Sequence, residues 1–322
     1  MSYLNHPPFE HPEVLCLGET MVLVTPERAE PLVQAESFRL GIGGAESTVA
    51  LYLAELGHPT SWISQVGNDP LGDRLIRILD RYGVDTSRVR VAPHAPTGVY
   101  FKDPSDDGTT TVYYYRSGSA ASQMSENILD GISFESVRAV HVSGITAGLS
   151  ASCRSLLWTV FRRARDAGVK VSFDVNYRPG VWSGSEAAPV LLNLAREADV
   201  VFVGRDEAEK LWGTASPETI AAYIQAPGLL IVKDGDVGAT EFTTGTKTFV
   251  PAHAVDVVEA VGAGDAFAAG YLSVLLRGGA PDDRLRKGHD LAARALSSVS
   301  DFVPADGIMP AIANKTHMKE TT

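Results

Sequence analysis

The chain has 322 residues, 44% of them hydrophobic and 21% charged, an ordinary soluble globular composition with length enough for one large α/β core. Lysine and arginine total 28 against 39 acidic residues, a net charge of −11, so nucleic-acid binding through bulk electrostatics is not expected and an anionic ligand must be held by a few placed cations. Cys16 and Cys153 make no disulfide framework, the scattered histidines and absent CxxC offer no transition-metal site, and no apolar run approaches the ~20 residues that span a bilayer. The stretch "MSYLNHPPFEHPEV" has no apolar signal-like region, so the expectation is a cytoplasmic protein without membrane or nucleic-acid partners.

In chain order, residues 20 to 40 read as strands without an intervening helix. "TSWISQVG" followed by "PLGDRLIRILDRYG" reads as a strand and a helix. Residues 95 to 116 return to strands, and "TGVYFKDPSDDGTTTVYYYRSGS" reads as a hairpin turned at "PSDDGTT". From about residue 130 short β-branched runs alternate with helical patterns: "RAVHVSG" with "SCRSLLWTVFRRARDAG", "VKVSFDVN" with "APVLLNLAREAD", "VVFVG" with "DEAEKLWG", then "LLIVKDG". This rhythm predicts an α/β fold with a mostly parallel central sheet flanked by helices on both faces. A small β-sheet lid is drawn from about residues 20–40 and 95–118, within a single domain over 13–310. His141 in "VRAVHVSG" reads as a core histidine, and the polar end "ANKTHMKETT" as a disordered tail covering 311–322.

Ligands of open parallel sheets bind outside the carboxyl ends of the strands, and the polar and glycine-rich residues fall there. "VSFDVNYRPG" releases Asn176 and Arg178, and "VVFVGRDEAE" presents Asp206 and Glu207 at a helix start. "LLIVKDGDVGA" carries Lys233, Gly235 and Gly238, and the apolar "VDVVEAVGAGD" reads as a further strand ending in Gly262, Ala263, Gly264 and Asp265. A glycine-rich turn feeding a helix exposes free backbone N–H groups at the positive end of the helix dipole, which suits a phosphate. Asp265 beside it has the position of a general base, and Arg178 that of a fixed guanidinium fork for oxyanions. Asp206 and Glu207 are the oxygen donors Mg²⁺ prefers, or simply helix N-caps. Strand alternation in "TTVYYYRS" puts Tyr114 and Arg116 on one face of the hairpin and Tyr113 and Tyr115 on the other. No G-x-x-x-x-G-K-[ST] loop occurs, and "GIGGAE" is a poor dinucleotide fingerprint.

Over roughly residues 13 to 305 the chain resembles the ribokinase-like (PfkB) carbohydrate kinases, through "GIGGAESTVALYLAELG", "QVGNDPLGD", "IVKDGDVGA" and "VGAGDAFAAG". The resemblance implies ATP and Mg²⁺ as cofactors and transfer of the γ-phosphate to a sugar alcohol, with Asp265 as base and the Gly262–Gly264 amides as anion hole. It places Asn176, Arg178, Lys233, Gly235, Gly238, Gly262 and Gly264 in the nucleotide and phosphate site, with Glu207 towards the metal. Within the family, "GGAES", "TGVYFKD", "VYYYRSGSAAS", "SGIT" and "SFDVNYRPGVW" are similar to 2-dehydro-3-deoxygluconate kinases. That similarity implies substrate contacts from Gly44, Ala45, Glu46, Ser47, Thr48, Tyr100, Tyr114, Arg116, Ile145, Arg178, Asp265 and Asp301, and a sugar-acid substrate for which the lid arginine has a use. Lid-to-lid dimers in the family imply a homo-oligomer. Thr48, Gly204 and Glu259 stand where the family usually has asparagine, asparagine and aspartate. The alternatives are a fructokinase or another sugar kinase of the same fold, and a catalytically silent sugar-binding regulator.

Overall fold

A computed structural model describes residues 9–28, 30–105 and 110–305. The expected tail at 311–322 and the hairpin tip at 106–109 lie outside the described residues. Strand β1 (Val14–Leu17) is wholly buried and alternates, Val14 and Cys16 facing one helical layer and Leu15 and Leu17 the other. The chain then leaves the core for β2 (Met21–Pro26) and β3 (Phe38–Gly43) and returns as α1 (Ala45–Glu55). Next come β4 (Thr60–Ile63), the short β5 (Gln65–Gly67), α2 (Pro70–Arg81) and β6 (Arg90–Ala92). Asp69 starts α2 sharply, its carboxylate accepting the Leu71 and Gly72 amides ahead of Pro70. The second excursion is β7 (Val99–Pro104) and β8 (Thr110–Tyr115).

From there the alternation expected from the sequence holds: β9 (Ala139–Ser143), α3 (Gly144–Leu149), α4 (Ala151–Asp166), β10 (Lys170–Asp174), α5 (Gly184–Glu197), β11 (Val200–Gly204), α6 (Arg205–Trp212), α7 (Pro217–Ile224) and β12 (Leu229–Asp234). An antiparallel edge of β13 (Gly238–Thr243) and β14 (Thr246–Pro251) follows, and α8 (Ala263–Leu276) and α9 (Pro281–Leu296) complete the core.

The main sheet runs β14-β13-β12-β11-β10-β9-β1-β4, parallel from β12 through β4. Its strands are unbroken apolar runs such as "VVFVG", as burial on both faces requires. One face packs Leu156, Leu157, Leu191, Leu194 and Ile220 from α4, α5 and α7; the other packs Val49, Leu75, Phe267, Leu272 and Leu291 from α1, α2, α8 and α9. Each such side chain, fully buried, contributes on the order of 2 kcal/mol of transfer free energy. A separate four-stranded sheet, β3-β2-β7-β8, forms the lid. His141 is 1% exposed, bonded through Nδ1 to the Ser172 hydroxyl, and burial lowers its pKa to about 4: a core histidine, as expected.

The segment before Gly262 differs from expectation. After β14 the chain forms no strand between residues 252 and 261. Val257 and Val258 are exposed, and the Val258 and Glu259 amides instead bond the Leu296 carbonyl at the end of α9. The valines have strand propensity, but the edge they meet is a helix end, and tertiary context overrides the local preference.

Candidate active site

Because β9 through β12 are parallel, their carboxyl ends open on one edge, and the lid strands leave from the same edge after β1. There α8 begins at Gly262, whose φ of +86° only glycine adopts without strain. A Cβ on Gly262 would also fall 2.7 Å from the Asp301 Cα. No side chain caps α8; of the expected Gly262–Gly264 set the Ala263 amide already bonds the Ala260 carbonyl at 3.4 Å, which leaves the first-turn amides at Gly264 and Asp265 for an external acceptor.

Asp265 sits in that first turn, partly exposed, with Asn176 Nδ2 donating to its Oδ1 at 3.1 Å. Asn176 has φ +41°, a strained value for a residue with a side chain, and its buried Oδ1 has no partner. The strain is held by Asp174 at the end of β10, whose Oδ1 accepts the Asn176 amide at 3.2 Å. The other Asp174 oxygen accepts from Lys233 Nζ at 2.8 Å, and that ammonium lies 3.2 Å from where a Gly264 Cβ would stand. Burial first, and the charge of Asp174 second, push the Asp265 pKa up to about 7, against the pull of Arg178 and Lys233. A carboxylate tuned to neutral pH is suited to take a proton from an alcohol.

Arg178 and Glu207 meet across the same mouth, with Arg178 Nη1 donating to Glu207 Oε1 at 3.1 Å. Glu207 Oε2 accepts the Gly204 amide at 3.0 Å, so this side chain also caps α6. Asp206 faces away and pairs with Lys210 at 3.3 Å. Among the described residues no group of three His, Cys, Asp or Glu could hold a metal ion. Mg²⁺, which is satisfied by waters and substrate phosphates with one or two carboxylates, would fit this mouth only as a companion of a bound nucleotide, and Glu207 is the carboxylate that could offer it an oxygen. Gly235 (φ +50°) and Gly238 (φ +148°) shape the turn from β12 to β13 beside Lys233.

The lid strands pair Tyr100 opposite Tyr114, and their rings stack 5.8 Å apart. Arg116 lies against the Tyr114 ring at 5.7 Å, and the Tyr114 ring comes within 3.7 Å of where a Gly180 Cβ would stand, so the lid reaches the loop that carries Arg178. On the opposite face Tyr113 and Tyr115 join Phe101, Phe38 and Leu32 around an open apolar hollow of about 530 Å³. Arg116 is not a free guanidinium: it pairs with Glu19, 1% exposed, whose other oxygen accepts from the Ser119 hydroxyl at 2.5 Å. Tyr100 donates to Asp301 Oδ2 at 3.3 Å.

Gly44 precedes α1 at close quarters, for a Cβ there would fall 2.5 Å from the Glu19 carbonyl. The side chains that follow turn inward. Glu46 is 1% exposed and its Oε1 accepts from the Ser143 amide and hydroxyl and from Thr146; Ser47 bonds the Gly44 carbonyl, and Thr48 is 2% exposed. This stretch therefore offers a ligand the backbone around Gly44 and Ala45 rather than side chains. Ile145, half-buried, opens α3 at the end of β9.

Three side chains stand in this arrangement that motif spacing did not assign to the site. Asp174 carried a signal, a lone carboxylate finishing the buried run "KVSFD". Lys102, whose Nζ lies 3.6 Å from Asp301 Oδ1, and the counter-charge role of Glu19 carried none, because their partners lie far off in sequence.

Fold and site together define an α/β protein with a helix start open to an oxyanion, a carboxylate beside it and a lid above. The chain matches the description "pfkB family carbohydrate kinase" over residues 11–305, and it belongs to that family: it is a carbohydrate kinase. It is 37% identical to a 2-dehydro-3-deoxygluconokinase of Bacillus subtilis (strain 168) over 296 residues, 90% of this chain and 91% of the relative. It is 33% identical to "Fructokinase-2" of Zea mays over 264 residues, 80% of this chain and 78% of that one. A crystal structure of a 2-dehydro-3-deoxygluconokinase from Thermotoga maritima superposes with a TM-score of 0.81 at 26% identity, covering 91% of this chain and 96% of that one. Among the described residues no helix is long and apolar enough to cross a membrane.

Proposed function

We propose that this carbohydrate kinase transfers the γ-phosphate of ATP to the terminal hydroxyl of 2-dehydro-3-deoxygluconate. The observation that carries the chemistry is Asp265, raised to about 7, in the first turn of a helix whose amides are open. Asn176 holds the carboxylate, which takes the hydroxyl proton as the oxygen attacks phosphorus in line. The Gly264 and Asp265 amides meet the charge on the moving phosphoryl group, and Arg178 meets it from the far side of the mouth. Glu207 would hold Mg²⁺ bound together with the nucleotide, and the ion would supply neutralisation of phosphate charge. Gly44, Ala45, Tyr100, Tyr114, Arg116, Ile145 and Asp301 bound the acceptor site, and the lid excludes water that would otherwise take the phosphate.

The acid group of the acceptor is assigned to Arg116. The buried Glu19–Arg116 pair fixes the guanidinium in place, so it meets a carboxylate without first being ordered. That reading is supported by the relative at 37% identity named for this sugar acid. Fructokinase is the second reading, favoured by the 33% identity to a protein of that name and by the charge Glu19 already balances. Arg116→Ala separates them: KM for the keto-acid is expected to rise at least ~10-fold with little change for fructose, as loss of a charge-assisted contact requires. An unchanged KM for the keto-acid would remove Arg116, and the acid specificity with it. The apolar outer face of the lid, with Phe38, Tyr113 and Tyr115 exposed, is where a second copy would dock. Sedimentation of Tyr115→Glu as a smaller species than the parent is the result expected of such a homo-oligomer, and unchanged sedimentation refutes it.

A further inference from the structure

Lys102 lies on β7 of the lid, two residues from Tyr100 and on the same face, with only 3% of its side chain exposed. A buried ammonium is costly unless paired, and this one has three oxygen partners, none of them in the lid. Its Nζ lies 3.4 Å from Glu259 Oε2 and 3.6 Å from Asp301 Oδ1, and it donates to the Val299 carbonyl at 3.3 Å. Those partners hold the phosphate turn from two sides. Glu259 Oε1 accepts the Ala260 amide at 2.9 Å and the Val261 amide at 3.3 Å, fixing the chain as it enters Gly262. Asp301 packs its backbone against Gly262, close enough that a Cβ there would fall 2.7 Å from its Cα. Tyr100 of the same lid strand donates to the remaining Asp301 oxygen at 3.3 Å.

We propose that Lys102 is a positioning residue that couples the lid to the anion turn: through Glu259 and Asp301 its ammonium sets the turn from which the Gly264 and Asp265 amides project. Lys102 touches no reacting atom. Raising the lid withdraws a cation from between two carboxylates that flank the turn, and their repulsion then loosens it. Glu259 serves this arrangement by length: one of its oxygens reaches the lid ammonium while the other stays on the turn amides. The catalytic half of this inference rests on the turn being the phosphate site; the coupling itself does not.

The test therefore has one arm without turnover. Hydrogen exchange of amides 258–265 is compared in the ligand-free parent, Lys102→Met, Lys102→Arg and Glu259→Gln. Faster exchange is expected in Lys102→Met and Glu259→Gln, with protection regained in Lys102→Arg. In the kinetic arm, kcat of Lys102→Met is expected to fall roughly 10- to 100-fold, the scale of a misplaced binding group, with KM for the acceptor little changed. In Lys102→Ala, which vacates the space that lysine fills, methylammonium is expected to restore part of kcat by returning a cation there. A lysine that merely stabilised the fold would lower Tm and leave the kcat-to-KM split and the methylammonium response unmoved. Should Lys102→Met fold poorly, Glu259→Gln, which keeps shape and removes one charge, decides the matter. Exchange unchanged in both variants overturns the coupling. Parental kcat in both overturns its catalytic consequence. A parent enzyme that phosphorylates no sugar overturns the function proposed above, while the exchange arm still decides the coupling.

Discussion

Replacing Asp265 by asparagine keeps the shape of the side chain and removes its charge, and the structure sets two opposed consequences. Asn176 can still bond the new amide oxygen, so the turn and nucleotide binding stay intact, while the acceptor hydroxyl loses the group that takes its proton. General bases contribute about 10² to 10⁴ in rate, and kcat is expected to fall by that range. Stability moves the other way. Folding raises the pKa of this carboxyl from 3.8 to about 7, so the ionised form is disfavoured in the folded chain. A rise of that size corresponds to on the order of 4 kcal/mol at most, and roughly 2 kcal/mol once water at the partly exposed site is allowed for. The penalty is absent below the unfolded value, grows as pH rises from about 4, and is complete above about 7. The Asp265→Asn substitution therefore raises Tm by roughly 4 °C at pH 8, less than half as much at pH 5, and not at all near pH 4. The assays are coupled ATP consumption, nucleotide titration calorimetry and thermal melts across pH. A variant that keeps near-parental kcat, or that melts lower at pH 8 than the parent, refutes the assignment of Asp265 as a base whose ionised form the fold disfavours.

Two further outcomes follow from the same cluster. The acid limb of kcat/KM is expected near pH 7, activity being lost as Asp265 gains its proton on lowering the pH. Because Lys233 pulls that pKa down, Lys233→Met moves the limb to higher pH; it also leaves the Asp174 carboxylate, 2% exposed, without its ammonium and lowers stability by about 3–5 kcal/mol. A limb that stays in place would show that Lys233 does not act on the base. Gly262→Ala meets both a φ of +86° and the Asp301 backbone, and is expected to cost well over the ~1 kcal/mol of Gly83→Ala, whose φ of +82° faces open space. Chemical denaturation of the two variants measures the difference, and equal losses would mean the turn relaxes freely.

The α/β alternation was legible from residue 130 onward because parallel strands buried on both faces leave unbroken apolar runs such as "VVFVG" and "LLIV". The lid was legible through the alternation of "TTVYYYRS", whose two faces the structure keeps apart, Tyr114 against Tyr100 and Tyr115 against Phe101. The strand expected before Gly262 was not there, since the partner of Val258 is a helix end near residue 296, which no local pattern reveals. The same reason hid the charge pairings. Lys102 with Asp301, Glu19 with Arg116 and Asp174 with Lys233 join residues some 60 to 200 positions apart. Glu207 shows the opposite case, a residue legible both as helix cap and as site carboxylate that turns out to cap α6 while facing Arg178.

The central claim, a kinase for a keto-deoxy sugar acid, is tested most directly by coupled ATP consumption with the purified enzyme and Mg²⁺ over a panel of acceptors: 2-dehydro-3-deoxygluconate, 2-dehydro-3-deoxygalactonate, fructose, ribose and nucleosides. The account predicts strong turnover of 2-dehydro-3-deoxygluconate, with kcat/KM at least ~10-fold above that for fructose, the least that a charged lid contact confers. Strong turnover of fructose with none of the keto-acid would contradict it.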